Sequence, residues 1–245
     1  MRTLGIIPAR GGSKGIPGKN LVDLGGRPLI EWTLAAAQAS TLDTVVVSTD
    51  DDFVAAVVEE YGVQVIRRPK QLATDNAKVS EAAQHVRDTL AKARQGFDIL
   101  VLLQPTSPFR TAEDIDDALA LMDQTGCESV VSVVDCGERQ PARMCTQDAE
   151  GRPRWLDNDK RWARRQDLPA VYLRAGSIYA TREIHHHSFV SGDCRLLVVP
   201  QLRAVNIDGP DDLTLARMIA ATEHQPDATL RERSTDGSSN ECLAK

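Results

Sequence analysis

Short apolar runs, each bounded by turn residues, alternate along this chain with longer amphipathic stretches. No other feature of the sequence restricts the fold so tightly. The runs are Leu4–Pro8, Thr44–Ser48, Val63–Ile66, Ile99–Leu103 and Ser129–Val134. Between them, 29–39, 51–61, 79–94 and 112–124 have helical length and apolar residues at i, i+3 and i+4. Short buried strands alternating with helices predict an α/β fold: a Rossmann-like, mostly parallel sheet with helices on both faces. In such a sheet ligands bind beyond the carboxyl ends of the strands, so the chemistry is sought just after each run.

The pattern breaks near Asp135. From Cys136 to Pro169 the chain is polar, rich in Arg, Pro and Asp, and without a clean period. Trp155 and Trp162 lie inside this stretch. It reads as an insertion of about 136–170, either an arm that packs on a second subunit or a long loop folded on its own domain. Sheet-like runs resume at 173–180 and 196–199, and a last helix is expected over 211–222 after Gly209-Pro210. The domain is thus expected to span 1–224, followed by a polar, Ser- and Asp-rich tail over 225–245 that reads as disordered.

With 245 residues, 42% hydrophobic and 26% charged, the chain can bury one sizeable core. A net charge of −6 argues against a general nucleic-acid surface. No apolar run approaches the ~18 residues that span a bilayer, and no signal-peptide pattern opens the chain. The five cysteines are scattered without a C-x-x-C pair, which fits a reducing cytoplasm better than a disulfide framework or a zinc site.

The first strand runs into Pro8-Ala9-Arg10-Gly11-Gly12-Ser13-Lys14-Gly15-Ile16-Pro17-Gly18-Lys19-Asn20. A Walker A loop would need Gly where Ser13 stands and a hydroxyl where Asn20 stands. A dinucleotide fingerprint, G-x-G-x-x-G, is also missing. What remains is a glycine-rich loop carrying Arg10, Lys14 and Lys19. Its backbone can turn N–H groups toward an anion, and its cations suit a triphosphate whose pyrophosphate must leave.

These residues resemble the N-terminal signature of the acylneuraminate cytidylyltransferases (CMP-sialic acid synthetases). The likeness continues in order through Gly26-Arg27-Pro28-Leu29-Ile30, Val47-Ser48-Thr49-Asp50, Arg68-Pro69 with Leu72-Ala73-Thr74-Asp75, and Leu103-Gln104-Pro105-Thr106-Ser107-Pro108-Phe109-Arg110. It ends with Arg165-Gln166-Asp167-Leu168-Pro169, Gly176-Ser177-Ile178-Tyr179 and Ile207-Asp208-Gly209-Pro210-Asp211-Asp212-Leu213. The similarity covers about residues 2 to 222 and implies the nucleotide-diphospho-sugar transferase type of fold, with a protruding dimerisation arm.

The implied reaction is CTP plus a 2-keto-3-deoxy sugar acid giving the CMP-sugar and pyrophosphate, with Mg2+ as cofactor and a homodimer built through the 136–170 arm. By similarity Arg10 and Lys19 are catalytic. Arg10, Gly11, Gly12, Ser13, Lys14, Lys19, Asn20 and Arg68 bind the nucleotide. Gln104, Arg165 and Tyr179 face the sugar acid, and Asp208 holds the metal. Each has a plainer alternative. Arg68 could simply end a strand, Gln104 could fix its loop, Tyr179 could be core, and Asp208 could cap the last helix.

The chain departs from the family pattern at three places. Asn206-Ile207-Asp208 stands where an Asp-x-Asp pair is usual. Leu173-Arg174-Ala175-Gly176 stands where sialic acid enzymes show Arg-x-Asn-Gly, and Val79 replaces a common base-contacting serine. A lost polar contact is costly, so Ala175 suggests an acid other than N-acetylneuraminic acid, such as a legionaminic or pseudaminic acid. Two other readings stay open: a nucleotidyltransferase for a sugar phosphate or phosphonate, and a non-catalytic nucleotide-binding module.

Among smaller features, His185-His186-His187 reads as a surface turn and Asp114 to Asp117 as a solvated helix face. Thr49 or Asp50 is expected to cap the second helix.

Overall fold

The computed structural model describes residues 1–184 and 188–223. The histidine run and the tail beyond 223 lie outside them. Seven strands form one sheet: β1 (Thr3–Pro8), β4 (Thr44–Thr49), β5 (Gln64–Arg67), β6 (Ile99–Leu102), β7 (Ser129–Asp135), β10 (Tyr172–Thr181) and β11 (Cys194–Val198). Their spatial order is β11-β7-β10-β6-β1-β4-β5. β1 pairs parallel with β4 and β6, β4 with β5, and β11 with β7. β10 alone among these runs antiparallel, between β6 and β7. The mostly parallel sheet expected from the alternating runs is the one observed.

Period-two alternation decides which helix covers which face. Ile7, Val47 and Val101 point to one side, where they meet α1 (Leu29–Ala39), α2 (Asp52–Glu60) and α4 (Ala112–Thr125). Leu4, Ile6, Val46, Leu100 and Leu102 point to the other, against Ala83, Val86 and Leu90 of α3 (Val79–Lys92). Truncating any of these fully buried leucines or isoleucines to Ala costs about 2–5 kcal/mol. A third cluster joins Ile16, Leu29, Trp32, Phe109 and Ile207 to Leu213 and Ala216 of α5 (Pro210–Glu223), and so seats the last helix beside the opening loop.

Two hairpins are too short to leave a period in the sequence. One pairs β2 (Asp23–Leu24) with β3 (Arg27–Pro28). The other pairs β8 (Cys145–Gln147) with β9 (Pro153–Trp155) inside the polar insertion. Trp162 in the same insertion is 83% exposed, and Leu156 is 60% exposed.

Two local readings need correction. The cap of α2 is Asp51, whose carboxylate accepts from the N–H groups of Phe53 and Val54 at 2.8 and 3.1 Å. Thr49 still belongs to β4, and Asp50 is turned toward the opening loop. In α4, Asp114 is not solvated. It is buried, accepts from the Thr111 N–H, and pairs with Arg203 at 2.8 Å.

Candidate active site

The cleft opens beyond the carboxyl ends of β1, β5 and β6. Pro8, Arg10, Gly12, Ser13, Lys19 and Asn20 form one wall. Arg68, Leu72, Asp75, Ala77, Lys78 and Val79 form a second, and Gln104, Pro105 and Thr106 a third. Thus Arg10, Gly12, Ser13, Lys19, Asn20, Arg68 and Gln104, all predicted from sequence, are brought together. Gly11 and Lys14 flank the cleft on the same loop.

The loop is braced at several points. The Gly11 N–H donates to Asp50 Oδ1 at 3.0 Å, and Asn20 Nδ2 donates to the Arg10 carbonyl at 2.9 Å, closing the loop on itself. Gly18 takes the left-handed conformation (φ 60°) that turns the chain into the short 3-10 helix starting at Lys19. Lys19 is largely buried, with its side chain 12% exposed. Its Nζ donates to the Ile207 carbonyl at 2.8 Å and lies 3.4 Å from Asp208 Oδ1. Arg10 and Lys14 instead share one carboxylate, Asp75, at 2.9 and 3.0 Å. Hydrogen bonding from Lys14, joined by Arg10, holds that carboxyl below its ordinary range despite some desolvation.

Arg68 is buried beneath the cleft. Its Nε donates to Ser48 Oγ at 3.1 Å and its Nη2 to the Ser48 carbonyl at 2.8 Å. Burial pushes its guanidinium down to about 10, with Asp50 pulling the other way, so it stays charged at neutral pH. The third wall hangs on Arg110, to which the sequence reading gave no role. This buried guanidinium donates to the Gln104 carbonyl, to the Ser177 carbonyl at 2.9 Å and to Thr33 Oγ1 at 2.7 Å. Burial pushes it down to about 9, with Asp114 opposing. The signal available was an arginine closing the Pro-, Thr- and Ser-containing turn after β6, next to Phe109.

Asp208 does not cap α5. Asp212, in the first turn of α5, instead reaches back to brace the segment before the helix: its Oδ2 accepts from Gly209 N at 2.8 Å and Asp208 N at 3.0 Å. The Asp208 side chain faces Lys19 and accepts from Asn206 Nδ2 at 2.5 Å. Among the described residues no group of three or more His, Cys, Asp or Glu is placed to hold a metal. One carboxylate beside a glycine-rich loop that carries three cations fits a divalent cation such as Mg2+, which keeps several waters and is held by one or two carboxylates together with substrate phosphates.

A family model described as cytidylyltransferase matches residues 4–193. The chain belongs to the cytidylyltransferase family. A relative named CMP-N,N'-diacetyllegionaminic acid synthase, from Legionella pneumophila, is 37% identical over 231 residues, covering 89% of this chain and 96% of that protein. Pseudaminic acid cytidylyltransferase from Campylobacter jejuni is 28% identical over 231 residues, covering 92% and 99%. N-acylneuraminate cytidylyltransferase from Streptococcus agalactiae is 30% identical over 218 residues; the match covers 86% of this chain and 52% of that longer protein. A solved structure of CMP:2-keto-3-deoxy-manno-octonic acid synthetase complexed with CTP shares the fold, with a TM-score of 0.66 at 20% identity over 91% of this chain and 100% of that one.

Two residues expected at the site of this cytidylyltransferase are not brought into the cleft of the single chain. Arg165 sits on the insertion, 64% exposed, 3.8 Å from Glu138. Tyr179 packs against the α3-side core, with its ring 6.2 Å from that of Phe189. Ala175 is buried on β10, where the register shifts between Arg174 and Tyr179.

Proposed function

We propose that this cytidylyltransferase joins CTP to a nonulosonic acid, a 2-keto-3-deoxy sugar acid, to give the CMP-sugar and pyrophosphate. The anomeric oxygen forms a bond to the α-phosphorus, the bond from that phosphorus to the α,β-bridging oxygen breaks and releases pyrophosphate, and the hydroxyl proton passes to solvent. The work left to the protein is positioning and charge neutralisation. Arg10 and Lys19 are placed to stabilise the α-phosphate and the departing charge, and Lys14 the outer phosphates. Arg68 underlies the nucleoside side of the cleft, and Gln104 faces the sugar. Asp208 would hold Mg2+, which neutralises phosphate charge when bound.

The observation that carries this reading is the convergence of Arg10, Lys19, Arg68 and Gln104 on one cleft, in a chain of this family. Likeness to the Legionella relative, with Ala175 in place of a polar residue, supports a legionaminic-type acid rather than N-acetylneuraminic acid. Pyrophosphate release is measured with CTP and the other nucleoside triphosphates against a panel of nonulosonic acids, sugar phosphates and phosphonates. Clear preference for N-acetylneuraminic acid would remove the substrate assignment, and preference for a sugar phosphate would remove the acceptor class.

Two further features belong to the same reading. The 136–170 arm carries Trp162 and Leu156 into solvent, which supports a homodimer in which Arg165 reaches the partner's sugar site. Cys127, Cys136, Cys145 and Cys194 are free, which suits a reducing cytoplasm, and no described helix is long and apolar enough to cross a membrane.

A further inference from the structure

Three loop cations serve the proposed triphosphate site, yet they are not held alike. Lys19 is anchored by a backbone carbonyl and by Asp208. Arg10 and Lys14 both lean on Asp75, one on each carboxylate oxygen. Asp75 is not part of the loop. It lies between the 3-10 turn Lys70–Leu72 and α3, in the wall that also presents Leu72, Ala77 and Val79 to the cleft. Its two anionic oxygens make the same demand on Arg10 and Lys14 that two phosphate oxygens would make.

We propose that Asp75 is a positioning residue that acts as a displaceable internal anion. It keeps Arg10 and Lys14 aimed into the cleft, yields them to the polyphosphate, and reclaims them as pyrophosphate departs. This rests on the reading of the loop as a triphosphate site.

The chemistry favours exchange over a permanent lock. The Asp75 side chain is 41% exposed and that of Lys14 78%, so both are well solvated and their attraction is modest. A polyphosphate carries several charges and displaces one carboxylate readily. Without Asp75, Arg10 and Lys14 would repel each other and hold any bound polyphosphate more tightly. The carboxyl stays ionised at working pH, because the cations themselves hold it below its ordinary range. Asp75 therefore weakens binding of the leaving group and shortens its stay.

Asp75→Asn keeps the shape and removes the charge at a half-exposed site, so the fold should be retained. Asp75→Glu restores the charge. Pyrophosphate is titrated calorimetrically into the full chain and each variant, and product inhibition is measured alongside. Asp75→Asn should bind pyrophosphate about three- to tenfold more tightly, with its inhibition constant falling by the same factor. KM for CTP and kcat should fall together, and Asp75→Glu should return all four quantities toward wild type. A purely structural role would weaken binding instead. Unchanged or weaker pyrophosphate binding in Asp75→Asn, with wild type binding normally, overturns this inference alone. Wild type binding neither pyrophosphate nor CTP overturns the loop reading and this inference with it.

Discussion

Gly15 packs directly on the main chain of Asp208: a β-carbon at position 15 would stand well under 3.0 Å from the Asp208 carbonyl oxygen. The two residues lie at opposite ends of the sequence. Their contact seats the cation loop against the segment that carries the proposed metal ligand. Gly15→Ala should push the loop off this seat. A displacement near 1 Å is enough to cost about 100-fold in turnover, so kcat/KM for CTP should fall by at least about tenfold. The melting temperature should move little, because the loop is peripheral to the core. Steady-state kinetics beside thermal unfolding checks both.

Asn206 donates to Asp208 and carries no charge. Asn206→Asp places a second carboxylate there and should strengthen Mg2+ binding. The Mg2+ concentration for half-maximal pyrophosphate release should drop about three- to tenfold. An unchanged Mg2+ titration would remove Asp208 and its neighbour from the metal assignment.

Asp212 tests the mount of this segment. Hydrogen bonds from Gly209 N, then Asp208 N, hold its carboxyl below the ordinary range. A carboxyl depressed in the fold stabilises the protein above its unfolded value, near 4, and loses that contribution as pH falls through the folded value. Asp212→Ala should cost about 0.5–1 kcal/mol at pH 7, the lower part of the range for hydrogen bonds to a charged group because this one is partly exposed. The gap between variant and wild type should narrow toward pH 3. Denaturant unfolding at both pH values measures it.

Trp162 is 83% exposed and Leu156, on the same insertion, is 60% exposed, so a large aromatic surface of the kind enriched at interfaces faces solvent. Sedimentation of the full chain should show a dimer, and Trp162→Glu should shift it toward monomer at micromolar concentration. A wild-type monomer would leave the arm without its proposed role, and Arg165 without a route to a sugar site.

The fold was legible because strands buried on both faces leave unmistakable apolar runs, as at 4–8 and 99–103. The hairpins 23–28 and 145–155 were not, because two- and three-residue strands carry no period. The cleft was legible where a residue type has few other uses, as with the glycines and cations of 10–19. It was not legible where function depends on a partner distant in sequence. Asp75 is an ordinary loop acid until Arg10 and Lys14 are seen beside it. Arg110 is an ordinary turn residue until its three acceptors, on three different segments, come into view. Asp51 rather than Asp50 caps α2 because Asp50 is engaged by the Gly11 N–H, a contact across 39 residues. Tyr179 shows the reverse: its motif suggested a sugar pocket, and its strand parity turns it to the α3-side core.

Loop 8–20 is proposed to deliver CTP's α-phosphate to a sugar acid, with Lys19 stabilising the developing charge. The direct measurement is pyrophosphate release by wild type and Lys19→Ala, each with CTP, Mg2+ and the nonulosonic acid that wild type uses best. Wild type should turn over, and Lys19→Ala should be slower by about 100-fold or more while keeping its fold. CTP binding without pyrophosphate release from any acid, or a Lys19→Ala variant as fast as wild type, would overturn this role for the loop and for Lys19.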